Sequence, residues 1–162
     1  MTSSTQLTSS PSPDLSRPIA GESLQGHVRL PADLPRLPEE ELVADAVTST
    51  GFDIRLISES KFQEVLGIRY PSRGFGGMLA GSPARIEMLI LDAPVRDLRV
   101  CPAGTSQNPY SFTVVIDGRT VGSGGGLKQT YFAVSDRFFF LTSEARLRDA
   151  LREKLTLSIP TC

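Results

Sequence analysis

The chain has 162 residues, 40% of them hydrophobic, with 17 Lys/Arg against 18 Asp/Glu, two Cys and one His. That length fits one domain able to bury a core, and the near balance of charge excludes a polycation. Two Cys with no Cys-x-x-Cys pair exclude a Cys-rich zinc site, and a lone His27 near the N-terminus leaves Ser-His or Cys-His catalysis without a positioned base.

The charge is uneven along the chain. Residues 1–50 hold three Arg and seven acids, and residues 51–162 hold fourteen Lys/Arg and eleven acids, a weak sign of an anionic partner. The opening Met1-Thr2-Ser3-Ser4-Thr5 has neither the basic nor the apolar region of a secretory signal. No apolar run approaches the ~20 residues of a membrane span. The expected location is the cytoplasm. A Cys101–Cys162 disulfide is open to the chain, but nothing else in the sequence points to an oxidising compartment.

In chain order, residues 1–37 read as a flexible Ser/Thr/Pro-rich tail, whose apolar residues at 24–37 lack helical or strand period and are free to lie extended along the domain surface. A single domain is expected over 38–162. Pro38 opens a helix, with Glu39, Glu40 and Glu41 where the dipole favours negative charge and Leu42, Val43, Ala46 and Val47 on one face. Phe52, Ile54 and Leu56 alternate with Asp53 and Arg55 in a strand over 51–58. A short helix from Ser60 follows, with Gly67 as its stop. Residues 68–77, rich in Gly and broken by Pro71, read as a long irregular loop continuing to Pro83.

Arg85–Leu91 is a near-continuous apolar run, as in a central strand. A second strand spans 94–101, and a third has Tyr110, Phe112, Val114 and Ile116 alternating with polar residues. Asp117-Gly118 is a strong hairpin signal, because a type I′ turn needs positive φ at both central positions. Gly122–Gly126 interrupts the returning strand as a bulge or flexible extension, and further strands are expected over 127–134 and 137–141. Thr142 or Ser143 caps a closing helix that buries Leu147, Ala150, Leu151 and Leu155. Hairpin-joined strands with helices at the ends predict an α+β fold, a mostly antiparallel sheet with flanking helices behind an extended or disordered N-terminal tail.

Few residues suggest chemistry. Arg73-Gly74-Phe75-Gly76 matches the opening of the second ribonucleoprotein motif of RNA-recognition domains, but Gly77, Met78, Leu79 and Ala80 replace the aromatic strand that should follow, so the residues do not support membership of that family. What they support is a basic-aromatic loop of Arg69, Tyr70, Arg73 and Phe75, joined by Lys128, that grips phosphate and stacks a base. The competing reading tucks Tyr70 and Phe75 into the core. The glycine run before Lys128 lacks the contiguous Gly-Lys-Ser/Thr and the following helix of a phosphate loop. Glu87, Asp92, Asp97 and Asp117 fall in or near strands, yet no spacing selects a catalytic pair. Phe138-Phe139-Phe140 either exposes a phenylalanine as an interface or lies in a strand covered on both faces. The expectation is a non-catalytic interaction or assembly module, with a protein partner or self-association, no cofactor and no metal. Nucleic-acid binding through residues 69–77 is the alternative.

Overall fold

The structure, a computed structural model, describes residues 27–62, 70–91 and 93–162. The described residues make an α+β fold in three layers: two α-helices, a six-stranded sheet, and a three-stranded sheet. The strands are β1 (Val28–Leu30), β2 (Asp53–Ser58), β3 (Ser72–Leu79), β4 (Ser82–Ile90), β5 (Leu98–Pro102), β6 (Phe112–Ile116), β7 (Arg119–Gly124), β8 (Tyr131–Val134) and β9 (Phe138–Thr142). The large sheet has the order β1-β2-β3-β4-β9-β8 and the small one β5-β6-β7. All pairings are antiparallel except β1 with β2. Helices α1 (Glu39–Val47) and α2 (Ala145–Leu155) pack together on one face of the large sheet.

Strand alternation divides the apolar residues between two cores. Ile86 and Met88 of β4, Phe75 of β3, and Phe138 and Phe140 of β9 meet Val43, Val47, Leu147 and Leu151 of the helices. From the opposite face Leu89, Phe139 and Val134 meet Phe112 and Val114 of the small sheet, with Phe62 between. The apolar run at β4 therefore belongs to the central strand expected of it, buried on both sides. The Asp117-Gly118 turn also forms as expected, with φ of 49° and 81°. Residues 63–67, expected to continue the short helix from Ser60, and residues 68 and 69 of the expected loop lie outside the described residues.

Several expectations change. Residues 27–37 are part of the fold rather than tail: Val28–Leu30 pairs with Leu56–Ser58, and Leu34 is buried in the helix-side core. Leu42 is exposed, and Ala44 takes its place on the buried face of α1. Of the loop expected over 68–83, residues 72–83 are instead in the β3–β4 hairpin, turning at Ala80-Gly81. Gly74, Gly76 and Gly77 read locally as loop, but each answers a demand from a neighbouring strand, while Gly81 supplies the positive φ of the turn. At Gly77 a Cβ would overlap the Asp53 carbonyl oxygen, because a bulge between Ile54 and Leu56 brings β2 close.

The closing helix begins at Ala145, without the side-chain cap expected from Thr142 or Ser143. Thr142 is a buried β9 residue whose hydroxyl donates to the Glu144 carbonyl at 2.9 Å. At the other end Thr156 ends the helix with a left-handed φ of 55°. A β-branched side chain is costly there, so Thr156→Gly is expected to raise stability by about 1 kcal/mol. The change would appear as a higher urea midpoint with an unaltered m-value. A lower midpoint would mean that the threonine side chain holds the C-terminal segment.

Candidate functional site

The residues expected to form a basic-aromatic loop are not assembled as one. Phe75 is fully buried against the helices. Arg73, one register step away on the same face, is 5% exposed and pairs with Glu40 through Nε at 3.0 Å. Tyr70 is half-buried and packs against the core under the small sheet. Lys128 is exposed beyond the end of β7, and Arg69 lies outside the described residues. A base has no route to Phe75, so the stacking loop is corrected to a core strand.

Phe138, Phe139 and Phe140 are likewise all buried, alternating between helices and small sheet. The small sheet covers the face on which one of them would otherwise have been exposed. None of the three is a surface residue able to dock a partner. Of the carboxylates, Asp97 and Asp117 meet at the β5–β6 end, where the Asp117 carboxylate accepts the Asp97 amide at 3.1 Å, while Glu87 lies apart in the large sheet. Asp92 is outside the described residues.

A different surface stands out. The small sheet covers only part of the outer face of the large sheet. The rows it leaves open run from Leu56 through Gly76 and Arg85 to Ser143, and beside them from Met78 to Pro83. These residues, with Arg55 at the rim, line a shallow trough of about 400 Å³. Its walls are apolar, and its floor is bare where β3 carries glycine.

Arg85 crosses that floor. Its Nε donates to Glu87 and its Nη2 to the Ser58 hydroxyl at 3.2 Å. A Cβ on Gly74 would overlap Nη2, and one on Gly76 would stand 3.3 Å from Nη1. The two glycines are thus what lets the guanidinium lie flat. Among the described residues Nη1 has no hydrogen-bond partner, and the Gly76 side of the guanidinium borders the trough.

Glu87 anchors this arginine from below. It is 6% exposed and accepts the Ser60 hydroxyl at 2.6 Å. Burial pushes its carboxyl above the usual range, against the opposing hydrogen bond from Ser60 and the charge of Arg85. Arg85 therefore has a fixed direction at two of its donor atoms before any ligand arrives. The chemistry available is recognition of a carboxylate or another planar anion beside an apolar wall.

Sequence reasoning placed Arg85 only within a strand and missed Arg55 as a site residue. The juxtaposition depends on the β3–β4 register, Gly74 with Glu87 and Gly76 with Arg85, which no local pattern announces. A hairpin reading of 72–90 would have supplied it.

Among the described residues no group of three or more His, Cys, Asp or Glu is placed to hold a metal ion, and no helix is long and apolar enough to cross a membrane. No protein-family model, curated protein or solved structure matches the chain.

Proposed function

We propose that the protein is a non-catalytic interaction module that holds an extended, acidic and apolar segment of a protein partner on the open part of its large sheet. The observation that carries this reading is Arg85, held flat over Gly74 and Gly76 by Glu87 and Ser58 at the edge of an apolar trough. A segment laid there would set apolar side chains on Leu56, Met78 and Pro83, and a carboxylate on Arg85. At the rim Arg55, with 64% of its side chain exposed and its Nε paired with Asp53 at 2.8 Å, offers its remaining N–H donors to the same segment. Because Arg85 is already ordered, binding sacrifices little of its rotamer freedom. The Cys101–Cys162 bond favours an oxidising compartment over the cytoplasm expected from the sequence.

Selection of a random peptide display library against the full chain tests the reading. Enriched peptides are expected to combine acidic with apolar residues. They should bind Gly76→Val, which fills the floor with a strand-forming residue, and Arg55→Glu about tenfold more weakly or worse. Enrichment of basic peptides, or equal binding to wild type and Gly76→Val, would exclude the trough.

A further inference from the structure

A second concavity lies where the two sheets part. It has a volume of about 370 Å³, within the range of small-molecule sites. Phe62, Phe112 and Leu141 form its walls, and the chain leaving β7, Gly126-Leu127-Lys128, forms its lip. The aromatic rings of the walls contact one another. Phe62 and Phe112 have ring centroids 5.9 Å apart, and Phe112 stacks edge-on against Phe132 at 4.7 Å. At Gly124 a Cβ would come within 2.9 Å of Phe112 Cζ, so the bare backbone of β7 lies directly on that ring and keeps the lip thin.

The lip pairs two residues that a closed core does not explain. Leu127 is 75% exposed beside an apolar wall that would bury it. Lys128 is exposed next to it and has no acidic partner within salt-bridge distance among the described residues. An apolar slot closed at its mouth by a leucine and an unpaired ammonium is complementary to one kind of occupant. From this we infer that the inter-sheet slot binds a small amphiphilic monoanion, with a compact aryl or acyl body against Phe62 and Phe112 and its anionic end at Lys128. Leu127 folds over the body of the ligand, and the Thr130 hydroxyl is a second polar contact at the mouth. This site is separate from the trough, and each stands without the other.

Two probes test it on the full chain. The fluorescence of 8-anilinonaphthalene-1-sulfonate is expected to rise saturably, with one site per chain. Decanoate should displace it, with decanol about tenfold weaker for want of the charge. Gly126→Leu places its side chain in open space at the mouth, since a Cβ there meets nothing within 4 Å. It should keep the wild-type amide NMR spectrum elsewhere and weaken both ligands about tenfold or more. Lys128→Glu should abolish the preference for decanoate over decanol, and Gly76→Val in the trough should leave all of this unchanged. Unsaturable fluorescence, equal displacement by decanol, or full binding by Gly126→Leu would overturn the inference. So would loss of binding in Gly76→Val, which would place the probe in the trough instead.

Discussion

Glu40→Gln is expected to lower the unfolding free energy by about 3–5 kcal/mol, the scale for removing one partner from a buried ion cluster. Glu40 is fully buried at the start of α1. It accepts hydrogen bonds from Arg29 of β1, from Arg73 of β3 at 3.0 Å and from the Leu37 amide at 3.1 Å. Arg73 also donates to the Pro35 carbonyl and, at 2.7 Å, to that of Ser72. One carboxylate thus fastens the edge strand, the segment leading into α1, and the sheet beneath. Without its charge two guanidiniums on largely buried side chains are left facing each other with no counter-ion. Urea denaturation measures the loss, and a change below about 1 kcal/mol would mean the charges are solvated. Replacing Arg29, Glu40 and Arg73 together by methionine should recover most of the loss, because the desolvation cost disappears with the charges.

The same carboxylate sets an acid dependence. Burial alone would raise its pKa, but the hydrogen bonds from Arg29, the Leu37 amide and Arg73 outweigh burial and hold it below the usual value. The folded pKa is lower than the unfolded one. The stability Glu40 contributes is therefore complete above the unfolded value, about 4.3, and is lost as pH falls through the folded one. Glu87 acts in the opposite sense. Its raised pKa means that ionisation costs stability as pH rises through its folded value. Between about pH 6 and pH 2, Glu40→Gln should lack the acid loss seen in the wild type and retain only the opposing trend. Parallel profiles for the two proteins would sink the assignment.

Opening the Cys101–Cys162 disulfide is expected to cost about 4 kcal/mol, from the loop-closure entropy of the 61 residues it spans. The bond joins β5 of the small sheet to the C-terminal residue, which follows the pairing of Ser158 with Val134 at the edge of the large sheet. It is thus a covalent tie between the two sheets. Cys101→Ser and Cys162→Ser should each shift the urea midpoint as far as a dithiol reductant shifts the wild type, with no added effect when combined. Amide exchange should quicken first in β5–β7, while β3 and β4 stay protected. Equal midpoints with and without reductant would show that the cross-link constrains nothing.

Much of this architecture is legible from local pattern. The alternation through Phe112, Val114 and Ile116, the Asp117-Gly118 turn, the double-sided run at β4 and the apolar stripe of α2 each state their own conformation. The misreadings fall where a residue answers to something distant in sequence. Gly74, Gly76 and Gly77 resemble a loop until β2 and β4 lie beside them, and then they are the positions where another strand needs the space. Phe138-Phe139-Phe140 does not declare its own surroundings, because the cover on its outer face comes from residues about 25–40 positions earlier in the chain. Glu40 looked like one of three helix-start carboxylates. That role and its burial between Arg29 and Arg73 coexist, and only the second sets it apart from Glu39 and Glu41. The trough was invisible for the same reason, since Arg85 and Gly76 become neighbours only through strand register.

The small sheet is a single uninterrupted excursion of the chain between β4 and β8, which lie on either side of β9 in the large sheet. Its presence or absence leaves the order of the six strands untouched. It behaves as a partial awning over one side of a self-contained layer. Both candidate sites lie along its margin, the slot beneath its free corner and the trough on the ground it fails to shade. Lengthening the excursion would roof the trough, and shortening it would lay the slot open. The reach of this one segment therefore sets how much of the large sheet's outer face stays open, independently of the scaffold that carries it.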